Sequence, residues 1–197
     1  MKIRKIINLV VLLFCNLYFS SAQENSKPGQ IFLNGREGKV HCKSEALYKL
    51  NSEGKLVLGT IAIDQTFYNG KNAPVYCLMN HQVAFNDLGD ILKGTLSKEQ
   101  TFYDGKNAPV HCLKGKEVEF FDSGKVRSAY ISVNHTFYNG NKVLVSCEGQ
   151  RKILLYESGL IESGVLSSNQ TFYTLNGQPR LFKKGEMVYF YEDGHVD

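Results

Sequence analysis

The sequence predicts an all-β protein, an elongated array of antiparallel β-hairpins made from five 35-residue repeats with the last one truncated. Three observations carry this. A phenylalanine recurs every 35 residues at Phe32, Phe67, Phe102, Phe137 and Phe172, and a cysteine at Cys42, Cys77, Cys112 and Cys147. A glycine keeps the same step at Gly54, Gly89, Gly124, Gly159 and Gly194, with no insertion between landmarks. A fixed period of this size marks a repeat array, in which each unit buries its apolar face on its neighbours. Beyond the first residues, apolar positions alternate as in strands and never at helical spacing.

Residues 1–22 read as a cleaved signal peptide. Lys2, Arg4 and Lys5 precede an apolar core from Leu9 to Phe14, and Ser20-Ser21-Ala22 supplies small residues before a cleavage point near Ala22. Lipidation at Cys15 and an uncleaved anchor are the lesser alternatives, the first because Phe14 is bulky for the residue before an acylated cysteine. Residues 23–29 read as a flexible leader. The repeat units follow as residues 30–64, 65–99, 100–134, 135–169 and 170–197. Gln65–Leu78 and Gln100–Leu113 differ at only two of 14 positions, Asn69/Asp104 and Tyr76/His111, which points to duplication.

Within a unit, Val118 and Phe120 alternate as one inward face, and Tyr48/Leu50, Val83/Phe85, Ile153/Leu155 and Val188/Phe190 repeat it, so one inward face is expected in all five units. A turn at Asp122-Ser123-Gly124 needs positive φ at its glycine. The return strand has apolar or small residues at Val126, Ala129 and Ile131; the odd step from 126 to 129 predicts a bulge or a change of face. The other half of a unit is Thr-Phe-Tyr, an Asn-Gly or Asp-Gly turn, and Pro-Val-x-Cys.

The chain has 23 Lys+Arg against 19 Asp+Glu, but removal of the expected signal peptide, with its three basic residues and no acidic ones, leaves a net charge of only +1. That gives no electrostatic case for nucleic acid. Three readings of the four repeat cysteines stand: buried free thiols, bridged pairs, or metal ligands. Spacing favours the first, because equivalent positions fall at least two strand spacings apart, roughly 10 Å, and a disulfide needs Cα atoms within about 7 Å. Phe182 at the fifth position also suits an inward apolar site. His41-Cys42 and His111-Cys112 are strand neighbours whose side chains point to opposite faces, so adjacency does not make them catalytic pairs. No nucleophile elbow, phosphate loop or zinc-protease motif occurs. No catalytic, cofactor or metal residues are therefore assigned, and the protein is expected not to be an enzyme. Tyr68, Tyr103, Tyr138 and Tyr173, beside the repeat phenylalanines, form a candidate partner-binding ladder; the competing reading is half-exposed rings that cover the next unit. Asn134-His135-Thr136 and Asn169-Gln170-Thr171 fit a glycosylation pattern that repetition also explains.

The stretches from Val118 to Ala129 and from Val188 to Val196 resemble the bacterial variant of the MORN repeat: an aromatic pair, a polar turn with glycine, then a return strand. The resemblance covers about 12 residues of each 35-residue unit. It implies an elongated sheet of hairpins used for protein or membrane-surface contacts, and it brings no catalytic residues. The expectation is an exported interaction scaffold of the periplasm or cell surface, with a protein or cell-surface glycan as partner. An immunity-type partner of a toxin and a glycan-binding module are the alternatives.

Overall fold

The computed structural model describes residues 29–197, and the expected signal peptide, Cys15 and residues 23–28 of the expected leader lie outside them. Among the described residues there are strands and turns and no helix. Unit one contributes β1 (Gln30–Leu33), β2 (Lys39–Cys42), β3 (Lys49–Leu50) and β4 (Leu56–Thr60). Unit two contributes β5 (Gln65–Tyr68), β6 (Pro74–Cys77), β7 (Gln82–Phe85) and β8 (Ile91–Thr95). Unit three gives β9 (Gln100–Tyr103), β10 (Pro109–Cys112), β11 (Glu117–Phe120) and β12 (Val126–Tyr130). Unit four gives β13 (His135–Tyr138), β14 (Leu144–Cys147), β15 (Lys152–Leu155) and β16 (Ile161–Val165). Unit five ends the series with β17 (Gln170–Tyr173), β18 (Pro179–Phe182) and β19 (Met187–Tyr189).

The two halves of each unit go to different layers. The second halves join into one nine-stranded antiparallel meander running in chain order from β3 to β19. The first halves stand as five separate two-stranded hairpins along it. Each hairpin in units one to four is tied back to the sheet by a single bridge within its own unit, from Cys42 to Ile61, Cys77 to Leu96, Cys112 to Ile131 and Cys147 to Leu166. The expected single elongated sheet is thus realised by half of each repeat. The other half forms a second layer.

The core lies between the layers. Phe67 meets Phe85 edge-on at 5.0 Å between ring centroids, Phe102 meets Phe120 at 4.9 Å, and Phe172 meets Phe190 at 4.8 Å. Edge-to-face pairs at this distance add to the stabilisation from area burial alone. In unit one the expected inward pair Tyr48/Leu50 is exposed instead, and Phe32 is only partly buried and tilted against Tyr48, because β3 is the edge of the sheet and has no strand beyond it among the described residues.

The odd step on the return strand is a bulge. Glu119 pairs with Ser128 and Phe120 with Val126, which leaves Arg127 unopposed, and the register shifts at the equivalent place in the three preceding and following hairpins. The bulge turns both Val126 and Ala129 inward. Position 129 must be small because the unit's own cysteine sits against it. A Cβ on Gly59, Gly94 or Gly164 would lie 3.0, 2.7 or 2.8 Å from the Sγ of Cys42, Cys77 or Cys147. Cysteine and a small residue 17 positions on are thus one packing pair.

Successive units are locked through their turns. Gly70 of unit two lies so close to the turn of unit three that a Cβ would come within 2.1 Å of the Asp122 carbonyl oxygen. On the other side, Gly124 (φ +76°) would place a Cβ 2.4 Å from the Lys71 nitrogen. Asn69, buried beside this contact, donates from Nδ2 to the Gly124 carbonyl at 3.0 Å. Asn34 and Asn139 do the same to Gly89 (3.2 Å) and Gly194 (3.0 Å). The left-handed residue of the outer turn is not its glycine but Asn72 (φ 58°) and its equivalents Glu37, Asn107 and Lys142.

Unit three breaks this pattern. Asp104 is buried and accepts from Lys106 N and Ala108 N, yet a carboxylate has no N–H to offer the Gly159 carbonyl. Asp104→Asn is therefore expected to stabilise the protein by about 1 kcal/mol, measured as a raised denaturation midpoint; a lower midpoint would contradict the assignment. Gly94→Val is expected to cost about 1–3 kcal/mol by overpacking against Cys77. Adding Cys77→Ala should recover part of that loss, and full additivity in the double-mutant cycle would refute the packing pair.

Candidate functional site

The outward positions of the hairpin row alternate with the buried ones. Phe67, Val75 and Cys77 face the core, so Thr66, Tyr68, Pro74 and Tyr76 face solvent. Repetition sets these into rows. Tyr68, Tyr103, Tyr138 and Tyr173 are 46–51% exposed, and opposite them across the hairpins stand Pro74, Pro109, Leu144 and Pro179. Thr66, Thr101, Thr136 and Thr171 make the neighbouring row, all exposed. In unit one Leu33 takes the tyrosine position. None of the outward strand positions of the five hairpins is a carboxylate. The Lys106 ammonium lies 5.1 Å from the Tyr138 ring centroid, so one rung is reached by the turn of the preceding unit.

The far face of the sheet is different in character. Lys93 pairs with Glu117 at 2.8 Å and Glu119 at 3.4 Å. Burial alone would raise the Glu119 carboxyl, but Lys152 and Lys93 outweigh it and hold that carboxyl below its ordinary value. A depressed carboxyl contributes stability above the unfolded value and loses it as pH falls through the folded one. Glu119→Gln should thus destabilise the protein by under about 1 kcal/mol at neutral pH, as for a half-buried pair that solvent still screens. The difference from the parent should vanish on acidification past the ordinary carboxylate range, and a difference that grows there would contradict this.

The repeat phenylalanines and cysteines turn out to be core. Phe67, Phe102, Phe137 and Phe172 are buried. Cys42, Cys77, Cys112 and Cys147 are free and buried, with burial pushing the first thiol up to about 11 and the others to about 12. Such thiols stay protonated at neutral pH and are poor nucleophiles and ligands. The repeat glycines, Gly54 to Gly194, all have positive φ at the sheet turns, as the turn reading requires.

Between hairpins there is no strand pairing, and a glutamine side chain takes its place. The His41 N–H donates to Gln65 Oε1 (2.8 Å), and Gln65 Nε2 donates to the Lys39 carbonyl (3.1 Å). Gln100 bridges Tyr76 N and the Pro74 carbonyl in the same way, and Gln170 accepts from Ser146 N. At the junction of units three and four the residue is His135. Its ring lies 6.3 Å from that of His111 and 4.7 Å from Phe137. Burial first, then the neighbouring His111, lower the His135 imidazole below its ordinary value, while Asp104 acts against them. The Thr101 hydroxyl is 2.8 Å from His111 Nδ1. An open pocket of about 340 Å³ beside this junction is lined by Glu99, Thr101, His111 and Val133, among others.

Neither the glutamine links nor the His111–His135 contact follows from reading one unit at a time. The visible signal was the departure of position 135 from glutamine, which Gln65, Gln100 and Gln170 keep. No protein-family model matches the chain, and no curated protein matches it.

Proposed function

We propose that this chain is an exported, non-enzymatic repeat scaffold that binds protein or cell-surface partners through the outer face of its hairpin row. The observation that carries this reading is the row of half-exposed tyrosines, each beside a proline or leucine, on a face without carboxylates. Rigid aromatic rings give large contact area at low entropic cost and dominate binding energies where they are buried by a partner. The sheet below is closed on one side by the core, so the hairpins carry the display and the sheet carries the fold. The likeness of the sheet hairpins to MORN-type repeats supports contact with proteins or membrane surfaces.

Glycan binding is the second reading, favoured by the even spacing of the tyrosine rings. One rung per unit places them two strand spacings apart, roughly 10 Å, which suits a polymer with a repeating face.

The test is a pull-down with the chain from Gln23 onward against envelope and secreted fractions, with Tyr103→Ala/Tyr138→Ala as the comparison. One stoichiometric protein partner, lost in the double variant, is the expected result, and a toxin as that partner would identify an immunity role. Retention on cell-wall or glycan material alone would replace the protein reading with the glycan one. Equal retention of parent and variant on any partner would remove the tyrosine face from both.

A further inference from the structure

The third junction between hairpins carries chemistry that the other junctions lack. We propose that His111 and His135 form a two-imidazole clip for a divalent transition metal of the Zn²⁺, Cu²⁺ or Ni²⁺ kind, joining the hairpins of units three and four. This is independent of what binds the tyrosine face.

The repeat itself isolates the substitutions involved. Gln65, Gln100 and Gln170 hold adjacent hairpins together with amide hydrogen bonds, and only position 135 exchanges that amide for an imidazole. The facing position on the preceding hairpin is His41 in unit one, Tyr76 in unit two, His111 in unit three and Ser146 in unit four, and only in unit three does that histidine face a second one, because His41 faces Gln65. Both imidazoles of the clip therefore arise at one junction of the array.

The geometry suits a bridging ion. Donation of the His111 Nδ1–H to the Thr101 hydroxyl oxygen, 2.8 Å away, leaves the lone pair on Nε2. A hydrogen bond on the second ring nitrogen is the usual way a ligating histidine is oriented. Metal–nitrogen bonds of about 2.0–2.1 Å place two ligating imidazole centroids roughly 5–6 Å apart. The observed 6.3 Å lies just beyond that range. Cys112 cannot join, because its thiol is buried on the inward face of the same strand. Among the described residues no group of three or more His, Cys, Asp or Glu converges on one point, so the ligand set is two nitrogens. Imidazole pairs select borderline metals over Mg²⁺ and Ca²⁺, which take oxygen ligands. The remaining coordination positions open to solvent, where water or a donor from a partner can fill them.

Isothermal titration of the chain with Zn²⁺, Cu²⁺, Ni²⁺ and Mg²⁺, with NMR detection of the imidazole resonances, tests the clip. The result expected is saturable binding of at least one transition metal with shifts at His111 and His135, and none with Mg²⁺. His135→Gln restores the residue of the other junctions, so it keeps the fold while abolishing that binding. Thr101→Val removes the orienting hydroxyl and should weaken binding by about tenfold or more. Absence of binding in the parent chain, or binding unchanged in His135→Gln, would overturn the proposal.

Discussion

The fold depends on one contact made four times, where the outer turn of a unit rests on the sheet turn of the next. Backbone meets backbone there with no room for a side chain on either glycine, from Gly35 against Gly89 to Gly140 against Gly194. A buried asparagine closes three of these contacts with a hydrogen bond to the partner glycine's carbonyl. Such a contact fixes the offset between units far more tightly than apolar packing could, because interlocked backbones have one depth of approach. The strand pairs between units, such as β8 with β11, keep the same offset, and the phenylalanine pairs and the hairpins are aligned with it. In unit five the position of these outer glycines is Leu175, which is exposed.

Locking units through the turns leaves the outer hairpins free of strand pairing with one another. Their edges are joined by side chains, and side chains can be exchanged without disturbing the sheet. This division explains how one junction can carry histidines while the core beneath it stays regular. It also explains why the outward hairpin positions vary in kind, with tyrosine, histidine, serine and leucine at the position of Tyr76. The inward valines of the same strands, Val40, Val75, Val110 and Val145, are kept in units one to four, and unit five departs with the exposed Arg180. Function on such a scaffold is written on the second layer.

Much of the first layer was legible. The 35-residue period, the inward pairs such as Val118 and Phe120, the positive φ of Gly124 and the bulge near Arg127 all follow from patterns within one unit. The split into two layers was not, because both halves of a unit carry the same strand-and-turn signals. The second role of the glycines was hidden for another reason. Gly70 is a turn residue in any reading, and only its contact with a turn more than 50 positions away shows that a side chain is excluded there. The pairing of Cys77 with Gly94 was equally invisible, although both positions repeat, since repetition alone does not say which residues touch. At the candidate surface the tyrosine row was legible and its acid-free surroundings were not, because these depend on which strand faces point outward.

The turn contact has a built-in control. Gly54 and Gly124 share the same turn and nearly the same φ (75° and 76°), but a Cβ on Gly54 meets nothing within 4 Å, whereas one on Gly124 strikes the backbone of the preceding unit. The decisive measurement is the denaturation midpoint of Gly54→Ala beside that of Gly124→Ala. Left-handed strain alone costs about 1–2 kcal/mol, and the account predicts that loss for Gly54→Ala and a clearly larger one for Gly124→Ala. Equal losses at the two positions would show that the turns do not hold the units together.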